Sequence, residues 1–365
     1  MQTYRIIGLM SGTSLDGLDI AYCTFTHHQN TWQYSITHAE CIPYPDAWKQ
    51  RLGGLIHTDI VTYLKTDAEY GFYIAQLVNG FMHRHGLMGK TDCIAWHGQT
   101  IIHQPQNRFT AQIGNGAELA VHTGVPVVCN LRANDVAAGG QGAPVVPITD
   151  KWLFPQYLFC LNIGGIANIS CKLAGGGIIG YDICPANLLL NYLASLQGLP
   201  YDPNGNLAQS GSLHPPLLQQ LNTLPFYGQP YPKSLDAGFV PNHILPLLQH
   251  AGTLPTTHLL HTATEHIATQ IAAQVTLLLQ QAQPDISLAP QMLITGGGAF
   301  NDYLVSRIAA LSHIPCIVPH QLTVNYKEAL AMAFMAALRL QGQPNCLSTV
   351  TGAAKDTIGG CIYLG

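Results

Sequence analysis

The sequence predicts an α/β protein of two domains built on one plan. Its 365 residues exceed the usual length of a single domain, and 47% of them are hydrophobic, which is enough for two cores. A strand, a glycine-rich turn and a second strand are predicted over residues 4–24, and the same design recurs over residues 159–171. Two such hairpins, roughly 150 residues apart, indicate a repeated domain.

The first hairpin has a polar, glycine-rich tip that is suited to the phosphates of a nucleotide. Its two glycines allow positive φ and close backbone approach, and its hydroxyl residues add donors to those of the backbone. Asp16 and Asp19 are hard oxygen ligands, suited to magnesium directly or through its waters. The tip is not a Walker A loop, since no Gly-Lys-Ser/Thr closes it and a strand follows, and an ordinary surface turn is the alternative. The candidate phosphate-binding residues are Gly12, Thr13, Ser14, Leu15, Asp16, Gly17, Leu18 and Asp19.

Two further glycine clusters extend this interpretation. Gly164 and Gly165 form the turn of the second hairpin, and two tips that face each other across a cleft can hold phosphates from both sides. Residues 296–298 are three glycines after a buried strand, where bare backbone lets a flat base or a ribose lie close. Asn301 is predicted to cap the helix that follows.

Polar residues follow two of the predicted buried strands. His97 and Gln99 come after the strand at residues 93–96, where α/β proteins commonly bind ligands, and a histidine satisfied by loop backbone is the alternative. Asp182 stands at a strand end before a helix predicted from about residue 188. A lone carboxylate there is a candidate general base, and a turn or capping aspartate is equally open.

The remaining chain predicts helices and long loops. Apolar spacing predicts a helix over residues 67–85 and a last helix over about 326–340, and a capping box at residues 262–265 predicts the start of another. Residues 201–238 are rich in Pro, Gly and Asn and are expected to form substrate loops or a lid. The glycine-rich segment 138–144 is expected either to line a cleft or to link two domains.

Composition excludes several classes of partner. The net charge is −4 with 15 Lys and Arg residues, so no nucleic-acid partner is expected. The ten cysteines contain no Cys-x-x-Cys pair, which favours reduced thiols over a zinc site. The start of the chain lacks the pattern of a signal peptide, and no apolar run approaches membrane-spanning length. We therefore expect no membrane association and a cytoplasmic location.

Six motifs in a fixed order closely resemble the anhydro-N-acetylmuramic acid kinase family, a branch of the sugar kinase, Hsp70 and actin superfamily. The resemblance covers nearly the whole chain. It implies two ribonuclease-H-like domains of the actin and hexokinase type with a nucleotide cleft between them. The expected domains are residues 1–130 with about 341–365, and residues 131–340. The motifs are Met-Ser-Gly-Thr-Ser-Leu-Asp-Gly (10–17), Trp-His-Gly-Gln-Thr (96–100), Gly-Gly-Gln-Gly-Ala-Pro (139–144), Leu-Asn-Ile-Gly-Gly-Ile-Ala-Asn (161–168), Gly-Gly-Gly (296–298) and Thr-Gly-Ala (351–353).

The resemblance also implies a reaction. 1,6-Anhydro-N-acetylmuramic acid, water and Mg-ATP would give N-acetylmuramic acid 6-phosphate and ADP, a step in the recycling of cell-wall peptidoglycan. Asp182 stands where the general base of the family sits. A homodimer is expected, as is common in this superfamily. The implied ATP-binding residues beyond the first hairpin are Gly164, Gly165, Asn168, Gly296, Gly297, Gly298 and Asn301, and the implied substrate-binding residues are His97, Gln99, Arg132, Asn187 and Glu328.

The sequence departs from the family pattern on the sugar side. Cys184 and Ala186 stand in place of two glycines after Asp182, and Asn130 replaces an aspartate. The usual Gly and Glu after Ser234 are missing from the segment Leu235-Asp236-Ala237-Gly238, and Tyr326 and Lys327 stand where acidic residues are expected. The departures leave two alternatives, a kinase for a different amino sugar and a non-catalytic ATP-binding regulatory protein on the same fold. Retention of Asp182 favours an enzyme.

Overall fold

The computed structural model of the protein describes residues 1–12, 14–231, 233–235, 238–250 and 254–365. Three positions singled out in the sequence, Thr13, Asp236 and Ala237, lie outside the described residues. The strands are β1 (Gln2–Ser11), β2 (Gly17–His28), β3 (Thr31–Pro43), β4 (Cys93–Trp96), β5 (Gln99–Gln104), β6 (Phe109–Ile113), β7 (Val127–Cys129), β8 (Phe159–Ile163), β9 (Ile166–Lys172), β10 (Ile178–Pro185), β11 (Met292–Thr295), β12 (Cys316–Ile317) and β13 (Cys361–Tyr363). The α-helices are α1 (Asp46–Gly54), α2 (Ile60–Arg84), α3 (Gly116–Thr123), α4 (Ala133–Ala137), α5 (Pro147–Leu153), α6 (Asn187–Ser195), α7 (Asn206–Ser210), α8 (Pro215–Asn222), α9 (Leu245–His250), α10 (Thr256–Gln281), α11 (Asp302–Ser312), α12 (Gln321–Leu340) and α13 (Ser348–Thr351).

The chain forms two compact units. The first unit comprises Met1–Phe154 and Tyr326–Gly365, and the second comprises Pro155–Asn325. The first unit contains both ends of the chain, and the units divide near residues 154 and 326, whereas the expected domain boundaries are near 130 and 340. Helix α12 leaves helical geometry at Tyr326 (φ −120°, ψ 21°), where the first unit resumes. That these units are the functional domains stays a prediction.

The first unit is built on a six-stranded sheet in the order β13-β7-β4-β1-β2-β3. Strands β1, β2 and β3 form an antiparallel meander, and β4 lies parallel to β1. The apolar face of α2, with Tyr70, Ile74 and Phe81 fully buried, belongs to the core of this unit. The helix begins earlier than predicted, because Asp59 caps it by accepting the N–H groups of two residues in the first turn.

The second unit repeats the topology in a five-stranded sheet, in the order β10-β9-β8-β11-β12. Again three consecutive strands are antiparallel, and the next two lie parallel to the first. This order, 3-2-1-4-5 with the second strand reversed, is the ribonuclease-H-like arrangement. The predicted fold class, two α/β units of this type, is confirmed.

Two expectations about the second unit were wrong. Helix α10 begins at Thr256 after Pro255, and not at Thr262. The Thr262 hydroxyl donates to the His258 carbonyl inside the helix, and Glu265 forms an ion pair with Arg307, so both side chains have other partners than a capping box would give them. Residues 201–238, expected to be loops, contain α7, α8 and two 3₁₀ turns.

The glycine-rich segment at 138–144 packs within the first unit. The Gly142 N–H donates to the Asp135 carboxylate, and the Gln141 N–H donates to the Thr351 carbonyl. A Cβ at Gly140 would lie 2.2 Å from an Asp135 oxygen, so this backbone approaches the buried carboxylate as only glycine allows. The segment is therefore not the link between the two units.

Two further findings bear on the expectations from composition. All ten cysteines are unpaired thiols. Among the described residues, no helix combines the length and the apolar character that crossing a membrane requires.

A buried histidine is held in each unit. His266 is fully buried, and its ring bonds the Tyr227 hydroxyl (2.9 Å) and the Asn222 amide oxygen (2.6 Å). His97, in the first unit, is 3% exposed. Burial lowers the pKa of each imidazole to about 3, and Arg132 contributes to the shift at His97. Both rings are neutral in the folded protein near neutral pH.

We expect these histidines to make the protein less stable as the pH falls below about 6.5, the pKa of an unfolded histidine. Below this pH the histidine is protonated in the unfolded chain and stays neutral in the folded chain. Each histidine therefore lowers the free energy of unfolding by up to about 1.4 kcal/mol for each unit by which the pH falls. Urea titrations between about pH 7.5 and 5, above the range in which ordinary carboxylates titrate, measure how steeply the free energy of unfolding changes with pH. His266→Gln should reduce this pH dependence, whereas the exposed His28→Gln should not. If His266→Gln and His28→Gln had the same pH dependence, His266 would not be a source of it.

Candidate active site

The candidate phosphate site of the first unit is the β1–β2 hairpin. Ser11 pairs with Leu18 across it, so the chain reverses over the predicted tip. The Leu15 N–H donates to the Gly12 carbonyl (3.2 Å), and Leu15 itself adopts a positive φ of 57°. Ser14 and Asp16 are exposed at this turn. The hairpin is therefore as predicted, with open polar groups where the chain turns.

Three of the candidate phosphate residues have structural contacts of their own. The Leu18 side chain is fully buried in the core of the unit, and Leu15 packs against the same core. A Cβ at Gly17 would lie 2.5 Å from the Ile42 carbonyl oxygen on β3, so this glycine is required for strand pairing. The two leucine side chains therefore belong to the core and Gly17 to the strand pairing, whereas Gly12, Ser14 and the two aspartates remain available.

A buried hydroxyl network, which the sequence analysis missed, lies beneath the tip. The Ser11 hydroxyl donates to the Gln99 amide oxygen (2.5 Å) and accepts from the Tyr44 hydroxyl (2.8 Å), which also bonds Tyr70 (2.7 Å). Gln99 is 2% exposed, so its side chain supports the hairpin from inside the unit. No short motif marks this network, because its members are joined only by the fold.

Asp16 and Asp19 fit the requirements of a magnesium ion. Asp19 is half-buried, and burial raises the pKa of its carboxyl, with Asp16 adding to the shift and a hydrogen bond from Cys41 opposing it. A cation would favour the ionised form of Asp19, whose charge burial and Asp16 disfavour. Within the described residues no group of three or more His, Cys, Asp or Glu side chains could hold a metal, so the other ligands would be water and phosphate.

A second cluster in the first unit joins His97, Arg132 and Glu328. The Arg132 Nε–H donates to His97 Nε2 (3.0 Å), and His97 Nδ1–H donates to the Gly98 carbonyl (2.7 Å). Desolvation raises the pKa of the Glu328 carboxyl, with Asp19 adding to the shift and Arg132 and Lys327 opposing it. The structure thus brings together three of the five expected substrate residues.

A polar cavity of about 250 Å³ lies beside this cluster, at the carboxyl ends of β4 and β7. His97 and Asn130 both contribute to its wall. Asn130, which replaces the aspartate of the family, adopts a positive φ of 56°, a conformation that asparagine tolerates better than most residues. At this position the cavity wall therefore carries a neutral amide in place of the carboxylate that the family pattern predicts.

Lys327, at a position where the family pattern is acidic, is part of the core. Its Nζ lies 2.6 Å from Asp150 Oδ1, and the two side chains are 3% and 5% exposed. The ammonium group also lies over the Phe154 ring. Lys327 therefore has a charged partner inside the unit and does not place a free cation in the candidate site.

In the second unit the candidate general base is Asp182. Its N–H donates to the Lys233 carbonyl (3.1 Å), and its Oδ2 accepts from the Leu235 N–H (3.0 Å). Burial raises the pKa of the carboxyl, and the bond from Leu235 opposes the shift. Across the sheet Asp182 pairs with Asn168 of β9. In the part of the chain that the structure describes, Oδ1 has no hydrogen-bond partner, so it is the oxygen open to a proton donor.

The two altered positions after Asp182 face the interior. Cys184 and Ala186 are fully buried and belong to the hydrophobic core of the second unit. Burial raises the pKa of the Cys184 thiol far above its usual range, so it is a neutral, space-filling group. The side chains that replace two glycines therefore extend into the hydrophobic core of the second unit.

The glycines of the second hairpin meet the start of α6. The Gly164 carbonyl accepts the Asn187 N–H (3.1 Å), and the Gly165 carbonyl accepts the Ala186 N–H (2.8 Å). The Asn187 amide donates to the Ile163 carbonyl (3.2 Å). Asn187, expected on the sugar side, thus lies with the glycine clusters of this unit.

A cavity of about 430 Å³ opens beside these glycines, with Asn187, Gly297, Gly298, Phe300 and Asn301 in its wall. Its size falls within the range of small-ligand sites. Phe300 and Tyr201 also lie in the wall, and the two residues are 42% and 57% exposed respectively. The cavity combines bare backbone with aromatic rings, a combination that suits a flat base.

The triple glycine has two different constraints. A Cβ at Gly298 would lie 2.2 Å from an Ile163 methyl carbon, whereas a Cβ at Gly297 would meet only the Asn187 amide at 3.6 Å. Gly296 has a φ of 81°. Asn301 caps α11 as predicted, because its amide oxygen accepts the Leu304 N–H (2.9 Å). Close packing requires Gly298, and Gly297 is exposed to a ligand.

Known proteins are similar to this chain along its full length. The family model described as anhydro-N-acetylmuramic acid kinase matches residues 4–365. A curated anhydro-N-acetylmuramic acid kinase of Pasteurella multocida is 35% identical over 376 residues, which cover 99% of this chain and 97% of that one.

Solved structures are less similar. A ligand-bound xylulose kinase from Lactobacillus acidophilus has a TM-score of 0.46 at 11% identity, over 92% of this chain and 89% of that one. A hexokinase from Schistosoma mansoni complexed with glucose has a TM-score of 0.39 at 11% identity, over 91% and 85%. The family assignment rests on the match of the sequence over nearly its full length. The chain belongs to the anhydro-N-acetylmuramic acid kinase family, as its motifs predicted, and is an ATP-dependent sugar kinase.

Proposed function

We propose that this protein converts 1,6-anhydro-N-acetylmuramic acid, water and Mg-ATP into N-acetylmuramic acid 6-phosphate and ADP, in the recycling of peptidoglycan. The observation that carries the proposal is the Asp182 carboxylate, whose Oδ2 is held by the Leu235 N–H and whose Oδ1 has no hydrogen-bond partner among the described residues. One fixed and one free oxygen suit a general base, because the bond sets the direction in which the free oxygen accepts a proton.

In this reaction Asp182 takes a proton from a water molecule as that water attacks the anomeric carbon. The bond from the anomeric carbon to O6 breaks, and O6 receives the γ-phosphoryl group, so one water and one phosphoryl group enter the product. Burial of Asp182 raises its pKa, which makes the carboxylate a better proton acceptor than an exposed aspartate. Most of the remaining rate enhancement would come from positioning and charge neutralisation.

The hairpin tip would bind the phosphates. Gly12 and Ser14 would supply donors, and Asp16 and Asp19 would hold Mg²⁺ directly or through water. Bound there, the ion would neutralise charge on the transferring phosphoryl group. No lysine lies in the tip, so backbone N–H groups and the cation would together balance the phosphate charge.

The cavity beside Gly297 would take the adenosine. Its exposed glycine allows the base or ribose to approach, and Phe300 offers a ring face. Arg132 and Glu328 would bind the sugar from the first unit, since a cation and a carboxylate can together hold an acidic amino sugar. We further propose that the protein acts in the cytoplasm, where ATP is available, and as a homodimer.

One observation favours a second candidate, a kinase for a different amino sugar. Asn130 lines the polar cavity next to His97 and removes a carboxylate that the family pattern has there. A non-catalytic role is less well supported, because the arrangement around Asp182 has no evident use in a protein that only binds ATP.

The test is ADP release by the purified protein with Mg-ATP, with and without 1,6-anhydro-N-acetylmuramic acid, together with the mass of the sugar product. We expect the sugar to stimulate turnover and the product to gain both a phosphoryl group and water. A product that gains phosphate alone would exclude ring opening, and a different amino sugar as the better substrate would favour the second candidate. ATP binding without stimulation by any amino sugar would exclude both.

Asp16→Asn should weaken the use of Mg-ATP. The substitution removes one of the two carboxylates at the tip, so we expect the magnesium concentration for half-maximal rate to rise by roughly tenfold. Asp46→Asn is the matched control, because its side chain is 91% exposed on α1. An unchanged magnesium requirement in Asp16→Asn would argue against the hairpin as the phosphate site.

A further inference from the structure

His97 cannot act as a freely available substrate ligand, because both of its ring nitrogens have partners. A carbonyl oxygen can only accept, so the bond to Gly98 (2.7 Å) requires a proton on Nδ1. The Arg132 Nε–H (3.0 Å) requires a lone pair on Nε2. The two bonds together select the neutral tautomer with the proton on Nδ1. In a protonated ring Nε2 would also carry a hydrogen, which would point at the Arg132 Nε–H.

The same contact determines which groups of Arg132 remain available. Its Nε is used by His97, and among the described residues neither terminal nitrogen of the guanidinium has a hydrogen-bond partner. Arg132 is only partly buried, so these nitrogens can reach a ligand. A guanidinium held at Nε presents its two terminal N–H groups as a planar fork, the geometry that matches two oxygens of a carboxylate or a phosphoryl group.

The surroundings of Arg132 explain why the guanidinium needs a neutral support. Glu328 is the charged group that attracts it, but the two do not form an ion pair within 4 Å. A carboxylate in place of His97 would bind the guanidinium by charge and compete with an anionic ligand. A neutral acceptor directs the same group without neutralising it.

We propose that His97 is a positioning residue, whose imidazole holds Arg132 at Nε and directs its terminal nitrogens at an oxyanion of the substrate. The proposal rests on the proposed function, in which Arg132 binds the sugar. The oxyanion is either the carboxylate of the acidic sugar or the phosphoryl group in transfer. The role replaces direct substrate binding by His97, which was the expectation from the sequence.

The kinetic test compares His97→Leu with His97→Gln, whose amide oxygen can accept the Arg132 Nε–H. We expect kcat/KM for the sugar to fall by about 10- to 100-fold in His97→Leu and by less than about threefold in His97→Gln. In an Arg132→Met background, His97→Leu should add little further loss. His103→Leu is the control, since His103 lies near Arg132 but bonds Thr110.

The substrate 1,6-anhydro-N-acetylglucosamine, which lacks the carboxylate, separates the two sources of the oxyanion. If Arg132 binds the carboxylate, His97→Leu should raise KM for the muramic sugar and leave KM for the glucosamine sugar unchanged. If it binds the phosphoryl group, kcat should fall for both. Equal losses in His97→Leu, His97→Gln and His103→Leu, or a full additional loss in the Arg132→Met background, would overturn the proposal.

A second measurement needs no substrate, so it separates failure of this inference from failure of the proposed function. Nitrogen-15 NMR of the histidine rings should show Nδ1 protonated and Nε2 unprotonated in His97 from about pH 8 to 5. The Nε2 resonance should move in Arg132→Met. A proton on Nε2, or an Nε2 resonance that is unchanged in Arg132→Met, would overturn the proposal. This measurement does not depend on whether His97→Leu folds.

Discussion

Asp182→Asn is expected to lower kcat by at least about three orders of magnitude while leaving nucleotide affinity unchanged. The amide has nearly the same shape as the carboxylate, and its oxygen can still accept the Leu235 N–H that holds Oδ2. It cannot take a proton from water, so the attack on the anomeric carbon loses its base. The loss should therefore appear in the chemical step.

Single-turnover kinetics and calorimetric titration with a non-hydrolysable ATP analogue separate the two quantities. Asp302→Asn is the matched control, because Asp302 is an exposed aspartate of the same unit. If Asp182→Asn retained a rate within about tenfold of the parent, the general-base assignment would be wrong. If it lost nucleotide binding as well, the residue would have a structural role instead.

The pH profile supplies an independent check on Asp182. A base must be deprotonated, and burial raises the pKa of this carboxyl above the 3.8 of an ordinary aspartate. The rate should therefore fall at acid pH, with a midpoint above pH 3.8. At pH values above this midpoint the rate should be constant until another group titrates. The acid limb should disappear from the residual rate of Asp182→Asn.

Gly8→Ala is expected to prevent folding or to cost more than about 3 kcal/mol of the free energy of unfolding. Gly8 lies on β1, and a Cβ there would lie 1.9 Å from the Ala329 carbonyl oxygen and 2.9 Å from its carbon. Both are backbone atoms of α12, so no side-chain rotation relieves the overlap. Strand β1 is paired on both sides, so it cannot shift without breaking hydrogen bonds to β2 or β4.

Gly54→Ala is the control for this substitution. A Cβ at Gly54 would meet nothing within 4 Å, and its φ of −90° is open to any residue. We expect its melting temperature to stay within a few degrees of the parent. A soluble Gly8→Ala protein with the melting temperature of the parent would mean that β1 and α12 do not pack as the structure shows.

Much of the fold could be predicted because its signals are local. The turn glycines between β1 and β2, the helical spacing of Tyr70, Ile74 and Phe81, and the cap at Asn301 each involve residues close together in sequence. The start of α10 was predicted wrongly because a Thr-x-x-Glu pattern inside a helix looks the same as one that opens it.

By itself, the sequence determined the repeated α/β hairpins, the family and the candidate residues, since these depend on residue types at short spacing. Only the tertiary structure decided what each residue touches. It placed Gln99 against Ser11, 88 positions away, Lys327 against Asp150, and the side chains of Cys184 and Ala186 in the core. The physical reason is that a side chain's partners lie across strands and helices, so burial and charge pairing depend on how the chain folds back on itself.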